Sequence, residues 1–280
     1  MSKGGPRNSH WTWLPVLLVW LLIWQLACWL IGSELLLASP WQVGRRLLAL
    51  MVRPDFWLTT LLSIVRIEAG FGLGVLTGTL LAILTVRFRW MHAFFYPAIS
   101  AIKATPVASF IILALVWMSS GRVVVFIVFL MVLPIVWANV TEGIRRTDPQ
   151  LLEMARVFRL NRGQVARLIY LPSVSPFFVA AVSTSLGLGW KAGIAAEVLS
   201  LPRHALGNEL YKAKIYLETP DLLAFTLVII LLSLLLEKIM LFIIRRTEAY
   251  FQHHGRRVVL SGLARPELQR RRNDVREDRP

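Results

Sequence analysis

The sequence predicts an all-α membrane protein with six transmembrane helices. Of its 280 residues, 56% are hydrophobic, and the mean hydropathy of +0.61 is high for a water-soluble domain. The apolar residues form long runs without the alternating pattern of barrel strands. A helix needs roughly 20 apolar residues to cross a bilayer and satisfies its own backbone hydrogen bonds there.

Six apolar runs approach that length. The first could instead be a cleaved signal peptide, since Lys3 and Arg7 precede it, but its length and the lack of a small-residue cleavage site favour a retained helix. The predicted spans are Leu14–Ile31, Ile67–Val86, Ala93–Trp117, Val123–Val140, Pro172–Leu199 and Leu222–Ile244.

The basic residues predict the orientation of these spans. With the N-terminus inside, the cytoplasmic segments hold 20 of the 31 lysines and arginines, and the opposite side holds eight. Because basic loops stay on the cytoplasmic side, both termini are predicted to be cytoplasmic. The expected organisation is a cytoplasmic N-terminus (1–13), a six-helix domain (14–244) and a basic, disordered cytoplasmic tail (245–280).

Composition also argues against several kinds of site. The net charge of +15 lies between apolar runs rather than on one soluble face, so no nucleic-acid partner is predicted. A single cysteine, Cys28, allows no intramolecular disulfide, and we predict no metal and no cofactor. Between the first two spans, 32–66 contains the amphipathic stretch WQVGRRLLALMV, which predicts a helix along the outer surface.

One predicted cytoplasmic loop, 141–171, is longer than a turn and helix-prone. Asp148 followed by Pro149 predicts the start of a helix, with the aspartate as N-cap and the proline in the first turn. Residues at helical spacing then predict one apolar face, formed by Leu151, Leu152, Ala155 and Phe158.

The second half of this loop predicts another helix. Asn161 can end the first helix, and a second short helix from about Gly163 leads to Leu171 and to Pro172, in the first turn of the fifth span. A bent helix pair of this kind suits docking into a groove of a soluble partner.

The same loop resembles the cytoplasmic signature of permeases of binding-protein-dependent ABC importers, which reads E-A-A, three residues, G, nine residues, I-x-L-P. Two positions depart from the signature: Met154 replaces an alanine, and Arg159 replaces the glycine. We therefore expect Leu160 or Asn161 to take over the bend. The positions that match the signature without insertion are Glu153, Ala155, Ile169, Leu171 and Pro172.

The resemblance covers nearly the whole chain, including SIVRIEAGFGLGVLTG and GLGWKAGIAAEVLS, and is strongest to the sulfonate, taurine and nitrate branch. It implies a type I importer permease fold in the bacterial cytoplasmic (inner) membrane. It also implies a permease homodimer with two ATPase subunits and an extracytoplasmic substrate-binding protein. The implied ATPase-coupling residues, with Glu153 as the main contact, are Glu153, Met154, Ala155, Phe158, Arg159, Ile169, Leu171 and Pro172.

The chain itself lacks a nucleotide-binding loop, since none of its lysines follows a glycine; it is therefore predicted to be a transport subunit and not an enzyme. Ionisable residues inside spans mark transport pathways by default. Lys191, Glu197 and Lys103 are therefore candidates for an anion pathway, although a structural ion pair or snorkelling near a span end is an open alternative. Small residues four apart, Gly70, Gly74 and Gly78, predict close helix packing.

Two other classes of protein remain as alternatives. A stand-alone secondary transporter or channel is expected to show internal repeats and broken helices in matching positions, and it leaves the long loop unexplained. An intramembrane enzyme needs catalytic groups at membrane depth. The histidines fall outside the spans or at their edges, at His10, His92, His204, His253 and His254.

Overall fold

The computed structural model describes residues 13–243 and residue 246, and over these residues every regular element is a helix, as predicted. The predicted cytoplasmic N-terminus and tail lie almost entirely outside the described residues. The helices are α1 (Trp13–Ile31), α2 (Pro40–Met51), α3 (Pro54–Arg87), α4 (Arg89–Ala104), α5 (Val107–Leu115), α6 (Ser120–Arg145), α7 (Pro149–Val157), α8 (Arg162–Val165), α9 (Leu171–Ser200), α10 (Leu206–Ile215) and α11 (Thr219–Ile243).

Among the described residues, four helical segments are long and apolar enough to cross a membrane, or five if α4 and α5 together form one bent span. The four are α3, α6, α11 and the continuous helix Arg162–Ser200, which joins α8 to α9. The first predicted span forms α1, but its apolar part, Pro15–Ile31, is shorter than these. The chain is therefore a multi-pass membrane protein.

The second predicted span is longer at its N-terminal end than expected. Its predicted start is Ile67, but α3 begins at Pro54, because proline is favoured in the first turn of a helix and Asp55 follows it there. Upstream, the predicted amphipathic helix is confirmed as α2, where Ser39 and Gln42 form a reciprocal capping box.

The third predicted span, Ala93–Trp117, is not one continuous helix. It breaks into α4 and α5, which are bent by 102°. Thr105 has extended backbone angles (φ −81°, ψ 132°), as expected for a residue before a proline. Pro106 lacks a backbone N–H and cannot continue the hydrogen-bond ladder of α4. The single span is therefore corrected to a broken helix pair.

The described chain forms two compact units. The first unit contains the residues up to Gly70, Pro106–Ile127 and Trp190–Ser233. The second contains Phe71–Thr105, Val128–Gly189 and the residues from Leu234 onward.

In the second unit, α3 and α6 are in close contact. A Cβ atom at Gly74 would lie 2.7 Å from Cβ of Val132, and one at Gly78 would lie 3.0 Å from the carbonyl oxygen of Leu133. Real Cβ atoms do not approach other atoms so closely, so only glycine fits at Gly74. The predicted role of these two glycines in close packing is confirmed.

Candidate functional site

The first helix of the predicted cytoplasmic loop begins where the sequence predicts it. The Asp148 carboxylate accepts a hydrogen bond from the backbone N–H of Gln150 at 2.8 Å, and Pro149 occupies the first turn of α7. This cap satisfies one of the N–H groups that have no partner within the helix. We refer to Asp148–Leu171 as the elbow.

The bend of the elbow is formed by Arg159 itself. This residue has a φ of +52°, a left-handed conformation that glycine usually supplies at a helix C-terminus. The N–H of Leu160 binds the carbonyl of Ala155 at 2.9 Å, and the N–H of Arg159 binds that of Arg156 at 3.0 Å. These two bonds form a Schellman motif, so the prediction that Leu160 or Asn161 replaces the glycine is wrong.

Asn161 has a different role, which is to start the next helix. Its side-chain oxygen accepts from the N–H of Gln164 at 2.8 Å, while the Gln164 side chain accepts from the N–H of Asn161 at 2.9 Å. This capping box fixes the first turn of α8. The end of α7 and the cap of α8 leave only Arg159 and Leu160 for the turn. Arg159 therefore adopts the left-handed conformation because of its position in the chain, although its residue type does not favour it.

The predicted helix boundary before Pro172 is absent. α8 continues through a π-helical turn, Ala166–Tyr170, into α9, and the N–H of Leu171 binds the carbonyl of Ala166. A π-helical turn widens the helix locally. Pro172 then enters a continuous helix, and the wider turn accommodates a residue that has no N–H to donate.

The elbow exposes apolar side chains while burying others. Ala155 is 2% exposed and Ile169 is 3% exposed, whereas Val157 is 78% and Phe158 is 65% exposed. The predicted apolar face is therefore divided, because Leu151 and Phe158 face outward and Ala155 faces inward. The other large apolar residues of the elbow that are exposed are Met154 and Leu171.

The charges of the elbow also point outward. Five of its charged side chains are exposed, those of Glu153, Arg156, Arg159, Arg162 and Arg167. In the part of the chain that the structure describes, none of these five forms an ion pair. The elbow thus combines an exposed apolar surface with an excess of unpaired positive charge.

The three candidate pathway residues lie in different surroundings. Lys191 and Lys103 are exposed, whereas Glu197 is completely buried. Lys103 belongs to the second unit, and Lys191 and Glu197 belong to the first. The first unit also contains a cavity of about 390 Å³ whose lining includes Arg53, Arg203, His204 and Lys212, but none of the three candidates.

Glu197 belongs to a buried polar cluster that the sequence did not reveal. Its carboxylate accepts hydrogen bonds from the Ser63 hydroxyl at 2.9 Å and from the N–H of Gly207 at 3.1 Å. Ser63 in turn accepts from the N–H of Leu206 at 2.9 Å, and the Arg66 guanidinium lies 3.6 Å from the Glu197 carboxylate. We call these five residues the Glu197 cluster.

The Glu197 cluster caps α10. The N-cap residue of α10 is an alanine without a side-chain hydrogen bond, so the first N–H groups of the helix need partners from elsewhere. Ser63 and Glu197 supply them from α3 and α9. An acidic residue within an apolar span was the available sequence signal, but it did not identify partners on other helices.

A second ion pair connects α2 to the start of α11. The Arg46 guanidinium makes two hydrogen bonds to the Asp221 carboxylate, one of them at 2.7 Å through Nη2. The hydrogen bond to Asp221 raises the pKa of Arg46 above its usual value, while partial burial opposes that change. The partners are 175 residues apart in the chain, so no local pattern predicted the contact.

The amino-acid sequence is similar to those of known permeases. The chain is 25% identical to the nitrate import permease protein of Synechocystis sp. over 65% of this chain and 69% of that protein. It is 26% identical to the taurine transport system permease protein of Escherichia coli over 84% of this chain and 91% of that protein.

The fold has a counterpart among solved structures. A chain of an amino acid ABC transporter matches with a TM-score of 0.55 at 16% identity, covering 66% of this chain and 91% of that chain. Residues 71–249 match the family model described as binding-protein-dependent transport system inner membrane component. This chain therefore belongs to that family, as a permease subunit of an ABC importer.

Proposed function

We propose that the elbow is the surface on which a separate ATPase subunit docks, and that the helices of this chain carry the solute. The observation that supports this proposal is the outward-facing apolar surface of α7, since Val157 and Phe158 are mostly exposed although the same helix buries Ala155. An exposed apolar helix face with charged neighbours fits a groove on a protein partner.

The proposed assembly contains two copies of this chain as a homodimer, two ATPase subunits and an extracytoplasmic substrate-binding protein. Each copy crosses the bacterial cytoplasmic membrane six times with both termini inside. The bias of basic residues supports this orientation. Each ATPase subunit acts as a ligand that prefers one conformation of the permease, which is sufficient to shift the population between inward-open and outward-open states.

The proposed solute is a small anion such as nitrate or a sulfonate. The names of the nitrate and taurine permeases support this class. In the proposed pathway, Lys191 and Lys103 supply positive charge. The decisive measurement is the ATP turnover of the reconstituted complex with nitrate, with taurine, or with an uncharged solute such as riboflavin. Stimulation by the uncharged solute alone would contradict the anion proposal.

The docking proposal is tested by reversing the chemistry of the elbow. Glu153→Arg reverses the charge of the main proposed contact. Phe158→Asp replaces an exposed apolar side chain of the proposed interface with a carboxylate. We expect solute-stimulated ATP turnover and co-purification of the ATPase to fall by about thirtyfold or more, because disturbing a desolvated interfacial group costs roughly 2 kcal/mol or more.

The control for this experiment is Tyr216→Asp, which changes an equally exposed aromatic residue outside the elbow. This variant should retain the ATPase, since Tyr216 lies at the end of α10. Normal ATPase binding by both elbow variants would show that the ATPase docks elsewhere on this chain.

A stand-alone transporter or channel is the second candidate. The 102° break between α4 and α5 favours it, because discontinuous helices form substrate sites in secondary transporters. Such breaks recur in matching positions of two halves, whereas α4 and α5 are the one bent pair found within residues 13–243. Solute uptake by vesicles that contain this chain without any ATPase would support this candidate.

A further inference from the structure

Arg159 occupies a backbone position where a glycine would fit better. Its φ of +52° places it in the left-handed region, which is energetically unfavourable for residues with a Cβ atom. Leu201, His204 and Leu217 share this conformation, so a positive φ alone does not imply a function. What distinguishes Arg159 is the group that it carries, an exposed guanidinium at the tip of the elbow.

This guanidinium has no described partner within the chain. No hydrogen bond or ion pair of the Arg159 side chain is found among residues 13–243. The carboxylate of Asp148 is already engaged as the cap of α7. Arg156 and Arg162, on either side of the bend, add further exposed positive charge.

Arg159 directly follows the exposed aromatic ring of Phe158. Aromatic residues and arginines are the residue types that contribute most to protein–protein interfaces. A planar guanidinium also binds a carboxylate through two parallel hydrogen bonds. An anionic lipid surface also attracts basic and aromatic residues, and the dependence of binding on lipid charge therefore separates the two partners.

We propose that Arg159 is a docking residue whose guanidinium binds a carboxylate at the rim of the ATPase groove that receives Phe158. This inference rests on the proposed docking function and adds to it the chemistry of the partner. The ATPase that fits this permease carries an acidic residue beside its groove. At the position of the motif glycine, this chain therefore carries a side chain that can bind the ATPase, at the cost of a less favourable backbone conformation.

The position allows a test in which the fold is not damaged. Arg159→Gly and Arg159→Asn remove the charge and are both compatible with a left-handed backbone. We expect the affinity for the ATPase subunit to fall about tenfold, since hydrogen bonds to charged groups typically contribute at least this much. The loss should be larger at low than at high salt, while the thermal midpoint of the isolated permease stays the same or rises.

The matched control is Arg203→Gln, which removes one exposed arginine outside the elbow and should leave ATPase affinity unchanged. Affinity is measured in nanodiscs of phosphatidylcholine alone and with added phosphatidylglycerol. Equal losses for Arg159→Gly in both lipids support the proposal. A loss seen only with phosphatidylglycerol overturns it, because the partner would then be the anionic lipid.

Wild-type affinity of both Arg159 variants also overturns the inference. That result leaves the docking function intact if Glu153→Arg and Phe158→Asp still prevent ATPase binding. If those two variants bind normally as well, the proposed function fails with it. The two failures are therefore distinguishable.

Discussion

The Glu197 cluster and the elbow both place charged side chains at the ends of helices, but they use them differently. In the cluster, Glu197 is completely buried, and its partners Ser63 and Gly207 come from α3 and α10. In the elbow, the side chains of Phe158 and Arg159 are exposed, and α7 is capped by the Asp148 carboxylate and by backbone N–H groups, without those two side chains. The charge of Glu197 therefore has its partners within the chain, whereas the exposed charges of the elbow remain available to a partner protein.

This difference determines where a substitution acts. A buried carboxylate is costly unless it is paired and hydrogen-bonded, so changes in the Glu197 cluster should reduce the stability of the permease itself. Substitutions of exposed side chains usually change the free energy of unfolding by less than about 0.5 kcal/mol. Changes to the exposed side chains of the elbow should therefore affect assembly and leave folding unaltered.

The largest expected effect is that of Gly207→Ala. A Cβ atom there would lie 2.5 Å from Cβ of Glu197 and 2.6 Å from the backbone nitrogen of Val198. The backbone at Val198 cannot move away from this Cβ atom without disturbing α9. We therefore expect a loss of about 3 kcal/mol or more in the free energy of unfolding. The measurement is thermal unfolding of the purified permease in detergent.

Gly187→Ala is the control, since the space around Gly187 is open to at least 4 Å. This variant should unfold at the same temperature as the unmodified protein or slightly above it. If Gly207→Ala is equally well tolerated, the contact between α9 and α10 is looser than the cluster requires. The claim that substitutions in the Glu197 cluster reduce the stability of the permease would then be wrong.

The next effect separates the hydrogen bonds of Glu197 from its charge. Glu197→Ala removes the acceptor of both Ser63 and Gly207 and leaves Arg66 without its counter-charge. We expect a loss of about 2–3 kcal/mol. Glu197→Gln keeps a carbonyl oxygen for both donors and should lose about half of that or less, because Arg66 is partly solvated.

The measurement is again thermal unfolding, combined with solute uptake by whichever variant folds. Folded Glu197→Gln with normal uptake would assign Glu197 to the fold and remove it from the candidate pathway. Equal destabilisation by alanine and glutamine would instead mean that the ion pair with Arg66 is the main contribution of this residue.

The sequence predicted best those features that depend on neighbouring residues. Asp148 and Pro149 predict the start of α7, because an aspartate is favoured as N-cap and a proline in the first turn. The long apolar runs also correspond to helices. The break at Pro106 also had a local signal, the residue pair Thr105–Pro106, but the apolar run on both sides concealed it. A proline alone does not identify such a break, since Pro97, Pro134 and Pro176 lie inside helices that continue through them.

Contacts between distant parts of the chain could not be predicted. Ser63 and Glu197 are 134 residues apart, and the residues next to each of them in the sequence do not identify the other. The elbow shows the same limit on a smaller scale. Helical spacing groups Leu151, Ala155 and Phe158 on one face, but the direction of packing decides that Ala155 is buried and Phe158 is exposed.

The smallest expected effect is the most informative about the elbow. Phe158→Ser removes an apolar side chain that is already mostly in contact with solvent, so the stability of the isolated permease should change by less than about 0.5 kcal/mol. Ala155→Leu, on the same helix, adds volume at a buried position and should cost about 1–3 kcal/mol. Thermal unfolding of the permease without its ATPase compares the two. A loss for Phe158→Ser as large as that for Ala155→Leu would mean that Phe158 packs against its own chain, and the elbow would then be part of the core rather than a surface held open for the ATPase.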